Sequence, residues 1–274
     1  MKNFIFLLFI SLSFLTATTA QRGWEAGGMI GGAHYFGDLN TSVSLSSPGI
    51  FGGLVARYNF DDRICLKFGA NFAQISADDA DSENIYEQAR NLNFRSDIME
   101  GTAQFEFNFL PYEHGSRDQY FAPYLFAGFS VVNFNPQTDL NGTTYDLRPL
   151  GTEGQFQGEE YYATTGAFTF GGGLKIDLSY EWSVNVEISG RSMWTDYLDD
   201  VSGTYPDIED LESFRGATAA ALSDRSILIE GVNDAQIGQP GRQRGSSRND
   251  DSFYTLSIGM VYYFGDLKCP PFMR

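Results

Sequence analysis

Eight segments of the chain have the pattern of strands. Hydrophobic and polar residues alternate clearly along four of them and more weakly along the others, of which residues 24–36 are Gly-rich and residues 120–134 are apolar on both faces. In residues 97–110, Met99 and Phe105 fall on one side of the alternation, while Glu100 and Glu106 fall on the other. A period of two is typical of a β-strand whose two faces meet different surroundings. The eight segments are residues 24–36, 49–60, 64–76, 97–110, 120–134, 164–178, 182–194 and 252–264. Each has about 12 residues, enough for a tilted strand to cross a bilayer, and we predict that each is a strand.

The connections between these segments alternate strictly between short and long. The short ones are residues 59–63, 111–119 and 179–181, and the long ones are 37–47, 77–95, 135–163 and 195–251. This sorting is typical of outer-membrane barrels, which have short periplasmic turns and long outer loops. The pattern therefore predicts an all-β protein, an eight-stranded antiparallel transmembrane β-barrel with short periplasmic turns and long extracellular loops.

The first twenty residues have the features of a secretory signal peptide. Lys2 is positively charged, residues 4–15 form an apolar stretch too short to span a bilayer, and small residues precede Gln21. An exported barrel of this kind is expected in the outer membrane, in contact with its lipid. The predicted parts are a cleaved signal peptide at 1–20, a barrel at 21–274, its largest outer loop at 195–251 and a periplasmic C-terminal tail at 265–274.

Composition narrows the class of protein further. The 274 residues carry a net charge of −17, which argues against binding nucleic acid through its phosphates. Aromatic residues make up 15% of the chain, more than a disordered protein would have. No internal apolar run reaches the roughly 18 residues of a membrane-spanning helix, so a polytopic helical membrane protein is excluded.

The inward face of the predicted barrel carries charges of both signs. They are Glu25, Arg57, Lys67, Glu100, Glu106, Lys175, Asp177, Glu187 and Arg191. Unpaired buried charges cost several kcal/mol, so we expect these side chains to pair. The lumen of an eight-stranded barrel is just wide enough for side chains. We therefore predict a salt-bridged interior rather than a diffusion pore or a proton path.

Candidate catalytic residues are few. His34 lies near Asp38 and several serines (Ser42, Ser44, Ser46 and Ser47), and a small lipid-modifying enzyme would need such a set near the outer leaflet. His114 falls in a periplasmic turn, at the opposite end of the predicted barrel. The two histidines would therefore not share a site. We expect no enzymatic activity and no cofactor.

The final outer loop, residues 195–251, holds 12 acidic residues and 5 arginines. Asp196, Asp199 and Asp200 are candidate Ca²⁺ ligands because calcium prefers carboxylate oxygens. Their spacing matches no EF-hand, so a solvated acidic loop is favoured. Residues 207–222 have the composition of a short helix that Gly216 weakens. Three arginines, Arg242, Arg244 and Arg248, are expected to pair with the acidic half of the loop.

The two cysteines fall at the periplasmic end of the predicted barrel. Cys65 opens the third strand, and Cys269 lies in the tail. The periplasm permits disulfides. Three states remain open: a bridge between the two, a bridge from Cys269 to a partner, and two free thiols.

Several stretches resemble the PorG-like family of Bacteroidota outer-membrane β-barrel proteins. They are Gly31-Gly32-Ala33-His34-Tyr35-Phe36-Gly37-Asp38-Leu39, the stretch from Thr195 to Tyr205, Gln243-Arg244-Gly245, Phe253-Tyr254, and Tyr263-Phe264-Gly265-Asp266-Leu267-Lys268-Cys269-Pro270. The resemblance implies a non-enzymatic component of the type IX secretion system. It implies contact with a periplasmic ring built from a lipoprotein and a partner subunit, in support of protein export and gliding motility. Within the tail motif, Cys269 and Asp266 are the expected partner-contact residues.

One pentapeptide occurs twice, at residues 35–39 and 263–267. Each copy follows a predicted strand, yet the two fall on opposite sides of the membrane. Either both copies are a shared way to end a strand, or the predicted topology is shifted by one strand. The alternative overall function is a structural or adhesive surface barrel that acts through its acidic outer loops.

Overall fold

A computed structural model of the chain describes residues 22–41, 47–248 and 250–265. The predicted signal peptide at 1–20 lies outside the described residues, as do Asp266 and Cys269 of the tail. The strands are β1 (Gly23–Phe36), β2 (Gly49–Asn59), β3 (Ile64–Asp78), β4 (Asn93–Asn108), β5 (Phe121–Leu140), β6 (Thr143–Asp146), β7 (Thr164–Asp177), β8 (Trp182–Met193) and β9 (Ser252–Tyr263). The helices are α1 (Ile85–Arg90), α2 (Ile208–Arg215) and α3 (Ala217–Ser223).

Eight of the strands form a closed antiparallel barrel. Their order is β4-β3-β2-β1-β9-β8-β7-β5, and β5 pairs back with β4 to complete the ring. The short strand β6 pairs with β5 and extends an outer hairpin beyond the barrel. The predicted fold class is therefore confirmed, and most of the predicted strand boundaries agree with the structure to within two residues.

The largest differences concern β4 and β5. β4 begins four residues before the predicted start, at Asn93, and β5 continues to Leu140. The β5–β6 hairpin turns at Asn141-Gly142, both with positive φ (54° and 80°). Asn-Gly is the preferred pair for such a tight turn. The alternation of apolar residues ends before this hairpin. The Asn-Gly pair was therefore the feature of the sequence that indicated the turn.

The exterior of the barrel is apolar. Large side chains such as Ile30, Leu54 and Met99 are 70%, 69% and 67% exposed. Exposing so many large apolar side chains to water would cost free energy, whereas the lipid-facing surface of a membrane barrel accommodates them. Among the described residues, no helix is long and apolar enough to cross a membrane.

Glycines on β7 make room for aromatic rings inside the barrel. A Cβ atom at Gly171 would lie 2.6 Å from Cζ of Phe126, and one at Gly173 would lie 2.8 Å from Oη of Tyr124. Both distances are too short for a real contact. The Phe126 ring in turn lies 3.9 Å from the Lys67 ammonium, within cation–π range.

The final outer loop folds into a compact cap. The predicted helix over 207–222 forms as two helices, α2 and α3, that break at Gly216 (φ 94°). Among the three arginines, Arg244 is buried and pairs with Glu153 of the preceding outer loop at 3.2 Å. Arg242 lies over the Tyr86 ring instead, and Arg248 is exposed. The expected pairing within the loop holds for Arg244, which contacts Asp200 at 3.9 Å.

The repeated pentapeptide ends strands at opposite ends of the barrel. In the β1–β9 register, Tyr35 pairs with Phe253 whereas Tyr263 pairs with Glu25. A one-strand shift of the topology is therefore wrong. In each copy the glycine two residues after the tyrosine packs on the hydroxyl, because a Cβ would lie 2.0 Å (Gly37) or 1.9 Å (Gly265) from it. The motif therefore ends a strand by folding the chain over an inward tyrosine.

Candidate functional site

The interior of the barrel is filled by ionisable side chains. Glu25, Arg57, Lys67, Glu100, Glu106, Lys175, Glu187 and Arg191 are all buried, and the side chain of Asp177 is 5% exposed. Strand alternation places them there, since each lies on the face opposite the apolar exterior. All nine residues proposed for the lumen from the sequence therefore face it.

The periplasmic half of this interior centres on Arg57 and Glu106. Arg57 lies 2.5 Å from Glu25 and 3.2 Å from Glu106. Lys175 makes a second ion pair with Glu106, and Asn59 donates to Glu25. Arg57 thus neutralises two carboxylates that approach it from different strands.

The interior contains two further ion pairs. Lys67 lies 2.6 Å from Glu187, which also accepts a hydrogen bond from the Tyr124 hydroxyl at 2.8 Å. Arg191 binds Glu100 through two nitrogens, at 3.1 Å and 3.0 Å. Every one of these charges has an opposite partner, so the interior is a packed polar core rather than an open channel.

The periplasmic turn 109–120 enters the barrel mouth, which sequence analysis missed. His114 of this turn is buried, with Nε2 at 3.0 Å from Glu25 and Nδ1 at 3.1 Å from Asp177. Its ring stacks on Tyr263 at a centroid distance of 4.5 Å. His114 lies in a periplasmic turn as predicted, and this turn folds inward to supply the cation that Asp177 otherwise lacks.

His114 holds its proton tightly. Burial alone would lower its pKa, but hydrogen bonds and charge from Asp177 and Glu25 outweigh burial and raise the pKa to about 9. With His114 charged, the five acidic residues of the interior face five cations. The strands supply only four of these cations, Arg57, Lys67, Lys175 and Arg191. The turn supplies the fifth, His114.

We expect the stability of the barrel to fall as pH rises from about 6.5 to about 9. Since the folded pKa of about 9 exceeds the usual 6.5, the His114 contribution is complete below pH 6.5 and is lost as pH passes 9. Urea unfolding of the protein in lipid vesicles, followed by tryptophan fluorescence at several pH values, measures this loss. His114→Gln should make that slope shallower by the contribution of one proton, and an unchanged slope in the variant would contradict the assignment.

The outer mouth is closed by contacts between the outer loops and the barrel. The Tyr35 hydroxyl lies 2.6 Å from Asp199 and 2.8 Å from Asp251. Arg90 of α1 binds Asp79 through two nitrogens and donates to the backbone carbonyls of Asp38 and Arg244. The cap is therefore fastened to β1 and to the second outer loop.

The calcium site considered for Asp196, Asp199 and Asp200 is not assembled. No group of three or more His, Cys, Asp and Glu side chains within 22–41, 47–248 and 250–265 could hold a metal ion. Asp199 accepts from Tyr35, and Asp200 accepts from the hydroxyls of Thr152 and Tyr161. Hydroxyl donors therefore occupy the oxygens that a cation would need. Burial raises the pKa of Asp200 to about 6 and that of Asp196 to about 7.

His34 faces outward, toward the lipid side of β1. Its ring lies 5.1 Å from that of Phe36, and Nε2 lies 3.3 Å from the Asn40 amide. Asp38, by contrast, is turned into the cap, where it accepts from the backbone N–H of Ser246 at 2.6 Å. Ser47 donates to Asp81, and Ser42, Ser44 and Ser46 lie outside the described residues. His34 and Asp38 therefore face different surroundings, one toward lipid and the other into the cap.

Cys65 is fully buried inside the barrel. Its Sγ lies 2.9 Å from Oδ1 of Asn59 and 3.7 Å from Nζ of Lys175. A bridge to Cys269 would require the tail to enter a space that these side chains fill. Cys269 itself lies outside the described residues.

Tyr35, Arg90, His114 and Glu153 were not predicted as site residues. Three of them belong to loops or to a loop helix, where no periodicity reports which way a side chain points. Tyr35 is separated from the inward-facing Glu25 by an even number of residues on β1, so strand alternation places it inside the barrel. That spacing was the one signal in the sequence for its position.

Residues 1–223 match the family described as "Domain of unknown function (DUF6089)". No curated protein matches the chain. Among solved structures, Neisserial surface protein A is 11% identical with a TM-score of 0.44, covering 88% of this chain and 97% of that one. OprG from Pseudomonas aeruginosa is 10% identical (TM-score 0.42), covering 90% and 98%. Ail of Yersinia pestis, solved with the heparin analogue sucrose octasulfate, is 9% identical (TM-score 0.40), covering 89% and 99%.

Proposed function

The chain belongs to the DUF6089 family, and we propose that it is a non-enzymatic outer-membrane scaffold that docks periplasmic subunits of the type IX secretion machinery. The observation that carries the proposal is the interior: paired charges fill it, and the turn 109–120 closes its periplasmic mouth. A barrel filled in this way is unsuited to passing solutes. Its activity then belongs to the surfaces that it presents on either side of the membrane.

The outer membrane is the environment that suits the chain's surface. Only closed barrels and helices can span a bilayer, because every backbone hydrogen bond must be satisfied internally. The exposed side chains on the barrel exterior are apolar, and the N-terminus reads as an export signal. An exported barrel of this kind is expected to insert in the outer membrane.

The periplasmic face offers a rigid platform. The backbone N–H of Gly115 and the hydroxyl of Tyr112 both bond to Asp177, so the turn is held to the barrel from both sides of His114. Arg117 and Asp118 are exposed on this turn. Because Tyr263 stacks on His114, the tail that carries Asp266 and Cys269 starts directly beside it. This contact supports the proposal that one partner binds both the turn and the tail.

The proposed assignment to type IX secretion rests on the resemblance of the tail motif and the other stretches to the PorG-like family of Bacteroidota. Under this proposal, the partners are a periplasmic ring subunit and its lipoprotein. Contact through the tail should involve Cys269, by a disulfide or at close range. Cys65 is buried and is expected to take no part.

Cross-linked pull-down from outer membranes, with a gene-deletion strain beside it, tests the proposal. We expect periplasmic secretion subunits in the pull-down and loss of type IX cargo export in the deletion strain. Cys269→Ser should remove any high-mass band on non-reducing gels. Cys65→Ser is the matched control, since serine retains the hydrogen bond to Asn59. Normal cargo export without the protein would refute the proposal.

A surface-binding role is the second candidate, and the cap favours it. Phe156 and Phe214 are 62% and 42% exposed and lie 5.3 Å apart on the outer loops. If the cap is the active surface, trimming residues 200–248 should reduce cell adhesion while changes at 265–274 leave it intact. If changes at 265–274 have the larger effect instead, the scaffold role is supported.

A further inference from the structure

A tyrosine hydroxyl and two carboxyl groups meet at the outer end of the barrel interior. Oη of Tyr35 lies 2.6 Å from Oδ2 of Asp199 and 2.8 Å from Oδ1 of Asp251. Tyr35 and Asp251 are completely buried, and Asp199 is 1% exposed. We call these three residues the Tyr35 triad. Tyr35 belongs to β1, and the two aspartates stand near the two ends of the final loop, so the triad joins both ends of the cap to the barrel wall.

The other carboxyl oxygens are already bonded to the backbone. Oδ1 of Asp199 accepts from the N–H of Val201 at 2.9 Å, and Oδ2 of Asp251 accepts from the N–H of Leu198 at 2.8 Å. The two oxygens that face Tyr35 therefore depend on its hydroxyl. That hydroxyl has a single hydrogen, whereas an ionised carboxylate can only accept. Two oxygen–oxygen contacts of 2.6 and 2.8 Å need two hydrogens, so the second hydrogen must sit on a carboxyl group.

We propose that Tyr35, Asp199 and Asp251 form a proton-binding site, in which one proton shared by the two carboxyl groups fastens the cap to the barrel. The protonated carboxyl donates to the tyrosine oxygen, and the tyrosine donates to the other carboxylate. Either aspartate can carry the proton, since the arrangement is nearly symmetrical about the hydroxyl. With both carboxyls ionised, one short contact would become a repulsion between lone pairs.

The surroundings favour a retained proton. Two more acids face the triad, Asp38 from the segment after β1 and Asp196 from the start of the final loop. Arg90 of α1 is the cation that faces Asp199, but its guanidinium is committed to Asp79 at 2.8 and 2.7 Å. Gly37 covers the site so closely that a Cβ there would lie 2.0 Å from both Tyr35 and Asp251.

Burial and the neighbouring negative charges raise the pKa of Asp199 and of Asp251 well above the usual range. The folded cap thus binds a proton that the open loop releases. Raised carboxyl pKa values stabilise the folded state fully below about pH 4, the usual value for an aspartate. That stability is lost as pH rises through the folded pKa. The cap should therefore be held most firmly in mild acid and released in alkali.

Infrared spectroscopy of the full-length protein in lipid vesicles at neutral pH tests the site. The carbonyl band of a neutral carboxylic acid should lose one equivalent in Asp199→Asn and one in Asp251→Asn. The double variant should also lose one equivalent, because the two carboxyls share a single proton. Asp234→Asn, an exposed acid of the same loop, is the control and should leave the band unchanged. Heat-dependent migration on gels verifies that each barrel is folded.

Two results would overturn the proposal. An unchanged band in the double variant would mean that both carboxyls are ionised. A loss of two equivalents in the double variant would mean that each carries its own proton. As an independent check, amide exchange at Leu198 and Val201, corrected for the intrinsic effect of pH, should accelerate in alkali in the natural chain. Asp199→Asn should remove that acceleration, since its amide N–H replaces the shared proton.

Discussion

Arg57→Met is expected to destabilise the folded barrel by about 3–5 kcal/mol, the cost of removing one partner from a buried ion pair. Arg57 is 1% exposed and contacts both Glu25 and Glu106. In the variant, Lys175 would still lie beside Glu106 and His114 beside Glu25. Because each carboxylate keeps one cation, the loss of stability should lie within that range rather than above it. Methionine keeps much of the arginine volume, which separates the loss of charge from the opening of a cavity.

Equilibrium unfolding in urea, with the protein in lipid vesicles, measures this effect. Arg117→Met is the matched control, because Arg117 is exposed on the periplasmic turn and should change stability by less than about 0.5 kcal/mol. Equal stability of the two variants would show that the interior charges are not energetically coupled. The double variant Arg57→Met with Glu25→Gln should recover part of the loss, since it removes the excess carboxylate while Lys175 keeps Glu106 and His114 keeps Asp177.

Gly27→Val is expected to damage the seam at which the first and last strands close the barrel. A Cβ at Gly27 would lie 2.1 Å from the carbonyl oxygen of Met260 and 2.7 Å from Cα of Val261, both backbone atoms of β9. Backbone cannot move aside without losing the β1–β9 hydrogen bonds. We expect a loss at the upper end of the roughly 1–3 kcal/mol range for overpacking, together with slower folding into vesicles.

The neighbouring glycine provides the control. A Cβ at Gly28 would lie 3.6 Å from the nearest atom, the carbonyl oxygen of Gly53, which is an ordinary contact. Gly28→Val points toward lipid and should fold as well as the natural chain. The electrophoretic mobility of unheated samples reports the folded fraction of each variant. Comparable folding of the two would mean that the close approach of β1 to β9 is not required.

These two expectations concern the same property of the molecule. The barrel is narrow, so its interior has room for paired side chains, and the seam at residues 27 and 31 has room for glycine alone. A narrow, filled barrel is a stable anchor for surfaces on both sides of the membrane. The periplasmic surface contains the turn around His114, and the outer surface is the cap held by Tyr35 and Arg90.

The eight barrel strands and the facing of their charged side chains were determined by the sequence alone. The direction of Glu100 and Glu106 follows from alternation, because successive side chains on a strand point to opposite faces wherever the strand lies. The loop lengths predicted which strands are neighbours, because two strands joined by a short turn must lie side by side. Both are local properties of the chain and need no knowledge of distant contacts.

Only the tertiary structure decided which charges meet. Arg57 and Glu106 belong to β2 and β4, which are not adjacent strands, so their contact depends on the curvature and register of the closed ring. The inward fold of His114 and the meeting of Tyr35 with Asp199 and Asp251 involve loops, whose side chains have no periodic direction. Strand pattern is set within a few residues, whereas contacts across the lumen are set by closure of the whole barrel.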